Sequence, residues 1–512
     1  MSKFAVIRQR SPFIEVSADG QNPLTNGIAR KIADRLTYTH MQYLHGEEGY
    51  DAVSNTRDSV KTELRRLYNF SANGCLCCLK GWRHTVSRIL EEEGFRVQYV
   101  NYDPEKPANT YEAHWDRVFD RFEFRPRQVD CLAQIDMHDE GVIEAVTAFG
   151  KSFMFAMICT LYPNAKIDIV TKSKSVVATI RNRLTKWIPD VGQVGGGKKR
   201  KRRVTVYTAD SLKHSDFDAD IVLVDEVHEL MTDRYFEWLS RYWHARMFGF
   251  TATKETRFDN AYERMEGLFG PTIFHMPYPL AEQLGIVVPI ICQWLSVEPG
   301  WNPCRTVYKR LERKRWGIWR HDYRNRVIAA AAESLVADGN QTLILVETLE
   351  HGLFLRQLLP EFQLCYSEQA LKKHKRDFYV NNNLMHPEES MTAQRRDQLR
   401  RQFEDRQFMG AIATGVWSVG VSFDSLQVMI RADGGSSETN STQGPGRVCR
   451  INPETGKNCG ILIDCDDRFD DRFANGADTR RRSYSKHGWT QYLPDGTIWR
   501  PGMRTRRVGT RQ

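Results

Sequence analysis

The chain has 512 residues, which exceeds the size at which one hydrophobic core stops growing, so two to four domains are expected. Hydrophobic residues make up 41% of the sequence and charged residues 27%, a balance that excludes an extensively disordered protein. The net charge of +9 favours a polyanionic partner.

The sequence also argues against a membrane protein and against a disulfide scaffold. No apolar run approaches the length that crosses a bilayer, and the first residues, MSKFAVIRQRSPF, lack the apolar segment of a secretory signal. Eleven cysteines are scattered without a repeating framework, which fits a reducing compartment. We therefore expect a cytoplasmic protein whose cysteines lie mostly in its cores.

Residues 1–112 have a mixed character that predicts a small accessory α+β domain. Residues 28–36 have helical spacing, and residues 86–100 read as a helix, a glycine and then the strand FRVQYV. The polar segment 101–110, NYDPEKPANT, carries two prolines and is predicted to be a linker.

Three cysteines and a histidine of this region could be proposed as a metal site. They are Cys75, Cys77, Cys78 and His84. Structural zinc usually requires two separated pairs of ligands, and a second pair is missing here. Buried cysteines on a strand or helix are the stronger interpretation.

A strand, a glycine-containing loop and a helix follow. A short apolar segment leads into AVTAFGKS, residues 145–152, and residues 153–161, FMFAMICTL, have the composition of a buried helix. Such loops bind phosphates through backbone N–H groups, a lysine that reaches the β and γ oxygens, and a hydroxyl that ligates Mg²⁺. A GKS tripeptide also occurs by chance in turns, so its neighbours carry the prediction. We expect Gly150, Lys151 and Ser152 to bind a nucleoside triphosphate.

Strands and helices then alternate regularly. This rhythm is typical of a doubly wound parallel sheet. The predicted strands are residues 142–146, 167–170, 204–207 and 221–224, and the predicted helices are residues 152–161 and 175–187.

A glycine-rich turn inside this domain continues into six basic residues. Residues 191–203 read VGQVGGGKKRKRR and cannot form a core. Such a run can be a localisation signal, a phosphate contact or an inert surface turn. We favour a mobile loop that contacts the nucleic-acid backbone.

Two carboxylates directly follow the apolar strand 221–224. The sequence DEVH, residues 225–228, places them at the carboxyl edge of the sheet, where α/β sheets bind ligands. Asp225 can hold Mg²⁺ through water, and Glu226 can polarise the water that attacks a γ-phosphate. The segment FGFTAT, residues 248–253, repeats the pattern of a strand followed by a small polar turn.

A second domain follows a basic, tryptophan-containing stretch at residues 301–320. Helices are predicted for residues 325–336 and 395–403, and strands for residues 341–347 and 428–431. Further basic runs, at residues 309–326, 480–482 and 500–511, together suggest nucleic acid, although each alone is more often a solvated face.

Residues 443–450, QGPGRVCR, carry the most specific pattern of the chain. Two arginines three residues apart lie on one face of a helix, so both can reach a phosphate that a facing domain holds. We expect Arg447 and Arg450 to have this role.

In this order, GKS, DEVH, TAT and QGPGRVCR resemble motifs I, II, III and VI of superfamily 2 helicases. The loop AVTAFGKS is similar to the A-x-T-G-x-G-K-T form of that family, with Ala148 in place of a glycine and Ser152 in place of a threonine. The resemblance covers about residues 120–465. It implies two RecA-like α/β domains with parallel sheets, which bind ATP and Mg²⁺ in the cleft between them.

The resemblance also implies roles for individual residues. It implies a catalytic role for five residues, which are Asp225, Glu226, Gln443, Arg447 and Arg450. In nucleotide binding it implies Gln128 as the residue that reads adenine, together with Thr147, Ala148, Gly150, Lys151, Ser152 and His228. Mg²⁺ would be held by Ser152 and Asp225. Contact with nucleic acid and its coupling to hydrolysis would involve Thr208, Thr251, Thr253, Thr414 and Gly420.

Residues 411–421, AIATGVWSVGV, resemble motif V of the family, but the next positions depart from it. Ser422 stands where motif V commonly has an aspartate, and Asp424 comes two residues later. The resemblance therefore does not carry the coupling role over to Ser422.

The predicted organisation has four parts. An N-terminal accessory domain spans residues 1–112, a first RecA-like domain residues 113–300, a second RecA-like domain residues 301–470 and a basic C-terminal tail residues 471–512.

The predicted function is ATP-dependent helicase or translocase activity on DNA. The arrangement of motifs resembles compact phage recombination helicases of the UvsW type, which implies forked or branched DNA as substrate, a role in recombination, repair or replication, and location in the host cytoplasm if the chain is phage-encoded. The alternatives are an RNA helicase, and a nucleic-acid-binding scaffold with a degenerate ATPase.

Overall fold

The computed structural model describes residues 3–43, 60–172, 174–252, 260–371, 373–417, 423, 425–435, 444–451 and 456–503. The chain divides into two compact units, Met1–Pro277 and Tyr278–Gln512. Among the described residues, no helix combines the length and the apolar content that a membrane crossing requires.

The first unit begins with a small mixed sheet. Its elements are β1 (Lys3–Arg10), β2 (Phe13–Ala18), α1 (Asn26–Arg35), β3 (Thr37–Tyr43), β4 (Val60–Arg66), β5 (Tyr68–Phe70), β6 (Leu76–Leu79), a 3₁₀ helix (Lys80–Trp82), α2 (Arg83–Glu92) and β7 (Phe95–Asn101). Five strands pair in the order β5-β6-β2-β1-β7, with β1 and β7 parallel and the other neighbours antiparallel. Strands β3 and β4 form a separate antiparallel ladder. Apolar residues of α1 and α2 pack with those of β1 and β2 in one core.

The cysteines of this domain are part of that packing. Cys75 and Cys78 are buried next to and within β6. All eleven cysteines of the chain are free, and only Cys77 and Cys459 are not fully buried. This confirms that most of them are core residues.

An eight-stranded sheet follows in the same unit. Its strands are β8 (Glu140–Ala145), β9 (Ile167–Thr171), β10 (Val191–Gly195), β11 (Lys198–Arg200), β12 (Val204–Thr208), β13 (Ile221–Asp225), β14 (Arg246–Thr251) and β15 (Thr272–Met276). Its helices are α3 (Trp115–Arg121), α4 (Gln128–Met137), α5 (Lys151–Leu161), α6 (Lys174–Leu184), α7 (Asp233–Ser240) and α8 (Glu263–Phe269), with 3₁₀ helices at Ala209–His214 and Val227–Leu230. The strand order is β11-β10-β12-β9-β13-β14-β8-β15, and every pairing except β10 with β11 is parallel. Because β9, β12 and β14 are buried along their whole length, they consist of nearly continuous apolar and β-branched residues.

Helix α8 connects the N-terminal sheet to this parallel sheet. Gly81 lies so close to α8 that an added Cβ would collide with the carbonyl oxygen of Glu266. Arg35 pairs with Glu266 at 3.0 Å, and the hydroxyl of Thr85 donates to the same carboxylate. Lys80 Nζ donates to the carbonyl oxygen of Ala245 at 3.2 Å. The N-terminal domain is therefore firmly packed on the first parallel sheet.

The second unit contains a fully parallel sheet of seven strands. They are β16 (Ile290–Ser296), β17 (Thr342–Leu345), β18 (Gln363–Cys365), β19 (Gly410–Ala413), β20 (Val428–Arg431), β21 (Gly460–Asp466) and β22 (Thr490–Tyr492). Its helices are α9 (Tyr278–Gln283), α10 (Arg310–Lys314), a π-helix (Arg315–Trp319), α11 (Asp322–Ala337), α12 (Leu349–Leu358), α13 (Lys373–Asn381), α14 (Ala393–Glu404) and α15 (Asp471–Lys486), with 3₁₀ helices at Glu368–Ala370, Gly415–Trp417 and Pro445–Arg447. The strand order is β18-β19-β17-β20-β21-β16-β22. The predicted fold class, two α/β domains with parallel sheets and a small N-terminal α+β domain, is confirmed.

Two predicted boundaries are wrong. The predicted first RecA-like domain ended at residue 300, but the chain divides after Pro277, and β16 pairs with β21 in the second sheet. The segment 471–512 was predicted to be a tail, but it contains α15 and β22, and β22 pairs with β16. Both errors arise because parallel partners are far apart in sequence.

Two of the basic runs are placed differently from the prediction. Residues 198–200 form edge strand β11 and not a loop, while the contact of residues 198–203 with a nucleic-acid backbone stays a prediction. Of the run 480–482, Arg480 pairs with Asp464 at 2.8 Å and Arg481 pairs with Asp466 at 2.8 Å, and both guanidinium groups are buried. These two arginines stabilise the second unit and are not available to a nucleic-acid backbone.

Candidate nucleotide site of the first unit

The predicted site residues of the first unit gather at the carboxyl edge of its parallel sheet. Residues 146–150 connect β8 to α5, and Asp225 is the last residue of β13. Strand β14 lies between β8 and β13 and ends at Thr251. Its register pairs Thr251 with Glu144 of β8, and Phe250 with Asp225. The three strands therefore end at one level of the sheet.

The phosphate loop ends in a tight turn at the start of α5. Gly150 and Ala148 have φ values of 95° and 89°, a region that favours glycine. The first hydrogen bond of the helix is donated by the N–H of Phe153 to the oxygen of Gly150, at 2.8 Å. The N–H groups of Lys151 and Ser152 precede this bond and belong to the first helical turn, where anions bind.

Gln128 anchors this loop. Its side chain is fully buried, and its Nε2 donates to the carbonyl oxygen of Phe149 at 2.8 Å. Its Oε1 accepts from the N–H of Arg125 at 2.9 Å. Both polar atoms bind the protein itself and the side chain is buried, so contact with an adenine would require Gln128 to become accessible. The predicted adenine-reading role of Gln128 stays a prediction.

Arg125 is a further residue of the loop that sequence reasoning missed. Its Nη1 donates to the carbonyl oxygen of Ala148 at 3.0 Å, while its backbone binds Gln128. Arg125 is the first arginine of the segment FRPRQ, residues 124–128, but it is one of many basic residues, and nothing local indicates which carbonyl it reaches.

The centre of the site is a half-buried cluster of one ammonium and two carboxylates. Lys151 Nζ donates a hydrogen bond to Glu226 Oε1 and forms an ion pair with it. Asp225 precedes Glu226 in the chain and also acts electrostatically on Lys151. Glu226 has a φ of 46°, in the left-handed region, which turns the chain sharply at the end of β13.

Burial and shared charge shift the pKa values of this cluster. Burial raises the pKa of Asp225 from 3.8 to about 6, although the attraction of Lys151 opposes this shift. Burial also acts to raise the pKa of Glu226, but Lys151 and His228 outweigh it and hold the pKa below its ordinary value. The attraction of both carboxylates raises the pKa of Lys151 against the effect of burial. Such perturbed groups at the edge of an α/β sheet are typical of functional sites.

His228 links the acid pair to the next strand. It is buried, and its Nδ1 lies 2.8 Å from the Thr251 hydroxyl and 3.7 Å from Glu226 Oε2. One imidazole ring therefore contacts both Glu226 and the last residue of β14. This contact joins the predicted motif II to the predicted motif III.

Asp225 and Ser152 are the residues that would hold Mg²⁺. Both offer oxygen ligands, which this ion prefers, and the raised pKa of Asp225 means that a bound cation would stabilise its charged form. The donor set therefore fits the ion. When bound with a nucleoside triphosphate, Mg²⁺ neutralises charge on the β and γ phosphates.

Other predicted residues are placed with different outcomes. Thr147 is half-buried in the phosphate loop. Thr208 ends β12 and is buried, and its hydroxyl lies 2.7 Å from that of Ser211, so a strand of nucleic acid does not reach it in this arrangement. Thr414 is buried just after β19. Thr253, Gly420, Gln443, and Ser422 and Asp424 of the predicted motif V lie outside the described residues.

The predicted arginine helix of the second unit has another geometry. Pro445–Arg447 is a single 3₁₀ turn, and Arg450 lies beyond it in a β-bridge with Val287. The prediction that Arg447 and Arg450 share one face of a helix is therefore wrong, because the prolyl turn ends after three residues. The side chain of Arg447 lies outside the described residues.

Comparison with known proteins adds to this geometry. A family model described as the res subunit of type III restriction enzymes matches residues 121–256, a segment that contains the phosphate loop and the acid pair. The DNA 3'-5' translocase XPB2 of Sulfurisphaera tokodaii is 26% identical over 162 residues, 31% of this chain and 36% of that protein. The chain thus matches about a third of the length of this relative.

Two solved structures align with most of this chain. One is a fragment described as an HsdR subunit of a type I restriction enzyme from Vibrio vulnificus YJ016, with a TM-score of 0.53 and 14% identity over 93% of this chain and 99% of that chain. The other is UvsW of phage T4, with a TM-score of 0.40 and 14% identity over 96% of this chain and 99% of that chain. In its parallel-sheet fold, in the order of its motifs and in the matched segment, the chain resembles superfamily 2 helicases.

Proposed function

We propose that this chain is an ATP-dependent superfamily 2 helicase or translocase that acts on DNA. The observation that carries the proposal is the ion pair of Lys151 with Glu226, next to Asp225, at the edge of a parallel sheet where a phosphate loop opens a helix. An ammonium and two carboxylates thus lie at the edge where phosphate loops of this kind bind nucleotides, which supports the proposal.

The residues of the cluster have separable tasks. Lys151 can exchange Glu226 for a phosphate oxygen, since both are anionic partners. Loss of this ammonium would raise the pKa of Glu226, whose carboxylate would then be a better acceptor for a proton from the attacking water. Asp225 would remain the ligand of Mg²⁺.

Residues of the second unit complete the proposed mechanism. We infer that Gln443, Arg447 and Arg450 act on the phosphates during hydrolysis, as in enzymes that use arginines to stabilise a transferring phosphoryl group. Arg450→Ala should lower kcat by about three orders of magnitude, and Arg450→Lys should rescue it poorly, because an ammonium lacks the planar fork. An unchanged kcat in either variant would remove Arg450 from the mechanism.

DNA is favoured over RNA as the substrate by the relative whose name specifies DNA and by the motif order that resembles UvsW-type helicases. The N-terminal domain supports a preference for branched DNA. One face of its β1 and β7 pair exposes Phe4, Arg10, Arg96 and Tyr102, and the Arg10 guanidinium lies 5.0 Å from the Tyr102 ring. A second binding surface at a fixed distance from a motor can prefer DNA whose arms reach both.

An ATPase assay with forked DNA, plain duplex and structured RNA tests the proposal. We expect hydrolysis that DNA stimulates, strongest with the fork, and that Glu226→Gln abolishes. Preference for RNA would establish the RNA helicase alternative. Nucleic-acid binding without hydrolysis would establish the scaffold with a degenerate ATPase.

Branch preference needs a separate variant of the full chain, because the N-terminal domain is packed on α8 and its removal would expose that helix. Arg10→Gln combined with Arg96→Gln should reduce binding to forks and four-way junctions more than binding to duplex. Arg30→Gln, an exposed arginine on α1, is the matched control. Equal losses on all substrates would contradict the role of this face.

A further inference from the structure

The second unit exposes aromatic side chains in a region that is rich in basic residues. Trp316 is 44% exposed in the π-helix Arg315–Trp319, and Phe378 is 43% exposed on α13. Single exposed apolar side chains are common, whereas exposed rings that lie together can mark a binding surface. Their surroundings indicate which partner they fit.

One arginine joins the two rings in space. The guanidinium carbon of Arg320 lies 5.4 Å from the ring centre of Trp316 and 5.5 Å from that of Phe378. Arg320 is itself held by an ion pair with Glu350 of α12. Trp316 and Phe378 therefore belong to one surface, although they lie on different elements.

The position of Trp316 is determined by the turn that carries it. Gly317 approaches α15 so closely that an added Cβ would collide with the ring of Phe473. Ile318 and Trp319 are buried on the inner side of the same turn. The π-helical turn thus holds Trp316 outward on a rigid base, and π-helical turns frequently occur at functional sites.

The surface lies at the ligand-binding edge of the second sheet. Lys314 pairs with Glu347 at 2.5 Å, and Glu347 follows the carboxyl end of β17. Parallel α/β sheets bind their ligands at this edge. The position is comparable to that of the nucleotide site in the first sheet.

The charge of the surface favours a polyanion. His374 and Lys375 precede Phe378 by four and three residues on α13, so they share its face. Both are exposed, and among the described residues neither enters an ion pair. Aromatic rings interleaved with basic groups bind single-stranded nucleic acid, because unpaired bases stack on the rings while the backbone meets the charges.

We propose that Trp316 and Phe378 form a stacking site for bases of single-stranded DNA at the edge of the second sheet. This inference rests on the proposed function and specifies the form of the nucleic acid that this surface binds. A duplex keeps its bases stacked inside the helix, so only an unpaired strand can use both rings.

Binding of fluorescein-labelled oligothymidylate and of blunt duplex DNA, at one salt concentration, tests the proposal. Trp316→Ala and Phe378→Ala should each weaken binding of the single strand about tenfold and leave binding of the duplex unchanged. DNA-free ATPase should also be unchanged. Trp243→Ala, which removes a tryptophan with 39% exposure in the first unit, is the matched control and should have no effect.

Conservative variants separate stacking from simple apolar contact. Trp316→Phe should retain most of the single-strand affinity, whereas Trp316→Leu should not. Lys375→Gln should reduce the slope of log K against log salt by about 0.7. Wild-type affinity in Trp316→Ala and Phe378→Ala, or equal losses for duplex, would overturn the proposal, as would full affinity in Trp316→Leu.

The outcomes distinguish this inference from the proposed function. If the wild-type protein shows no ATPase that DNA stimulates, the proposed function fails. If it is stimulated but the two alanine variants bind oligothymidylate normally, only the stacking site fails.

Discussion

Both parallel sheets carry charged residues at their carboxyl edge, but these charges are paired differently in the two sheets. In the second unit, Arg324 pairs with Asp467 at 2.8 Å and Arg480 pairs with Asp464 at 2.8 Å, all four side chains being buried. In the first unit, one ammonium, that of Lys151, faces two carboxylates. The charges are matched at one edge and unmatched at the other.

This difference separates structural charges from those that can bind a ligand. A buried arginine that pairs with its own aspartate already has its charge compensated, and its removal would leave the partner uncompensated. Burial raises the pKa of Asp225 to about 6 instead, so this carboxylate gains from the arrival of a cation. Local imbalance of charge at the sheet edge therefore indicates the nucleotide site better than the density of charge does.

The largest expected effect concerns Lys151 and Glu226 at the edge of the first parallel sheet. Glu226→Gln keeps the shape of the side chain but removes its basicity, so kcat for ATP hydrolysis should fall on the order of 10²–10⁴-fold while ATP binding persists. Lys151→Ala should instead weaken ATP binding. Steady-state hydrolysis and nucleotide binding measure the two, with Glu237→Gln on exposed α7 as control. Near-normal kcat in Glu226→Gln would remove this site from the mechanism.

Breaking a buried ion pair at the edge of the second sheet should lower the stability of the protein. Asp467→Asn leaves the guanidinium of Arg324 buried without a counter-charge, which should lower the free energy of unfolding by about 3–5 kcal/mol. Asp322→Asn breaks an exposed pair with Arg326, whose side chains are 70% and 69% accessible, and should cost less than about 1 kcal/mol. Chemical denaturation of both variants gives the comparison. Equal costs would mean that burial does not decide the role of these charges.

The carboxyl groups of Asp168 and Asp225, both in the first parallel sheet, should make the stability of the protein depend on pH. Burial raises the pKa of Asp168 on β9 to about 6, as it does for Asp225. The folded state therefore binds these protons more tightly than the unfolded chain, whose pKa is near 3.8, and each carboxylate lowers stability as pH rises from about 4 to above 6.

Replacing either carboxyl with an amide should therefore remove this loss of stability. Asp225→Asn and Asp168→Asn should raise the free energy of unfolding at pH 8 on the order of 2 kcal/mol, with a gain that vanishes towards pH 4. Only Asp225→Asn should lose Mg²⁺-dependent ATPase, since the Asp168 carboxyl accepts from Tyr242 at 2.7 Å inside the sheet. Denaturation at several pH values and the ATPase assay check both statements. Loss of activity in Asp168→Asn would contradict the distinction.

The smallest effect concerns the basic hairpin at β11. Arg200 and Arg202 pair with Asp190, and Lys201 pairs with Asp216, whereas Lys198 and Lys199 enter none of the ion pairs found among the described residues. Replacing both Lys198 and Lys199 with glutamine should reduce the slope of log K against log salt for duplex DNA by up to about 2. Replacing Arg200 and Arg202 should change it less. Equal changes would show that the pairing does not withhold these charges.

Local patterns predicted the first unit well because its site is built from short contiguous segments. A strand, a glycine turn and a helix follow one another from β8 to α5, and Asp225 and Glu226 directly follow the apolar strand β13. Each segment forms its structure from neighbours in sequence. The predicted arginine helix was wrong, because the proline at 445 begins a turn of three residues and not a longer helix.

The sequence by itself determined the fold class, the order of the motifs and the residues of the phosphate loop and acid pair, because these depend on periodicity and on adjacent residues. Only the tertiary structure decided which charged and polar side chains are available to a ligand. Arg480 is a basic residue in the sequence, but it is bound by Asp464, and Gln128 is bound by the loop it was expected to serve. Partners of this kind are brought together by parallel pairing and helix packing, and the burial that follows makes an unpaired charge too costly to retain unless it has a ligand.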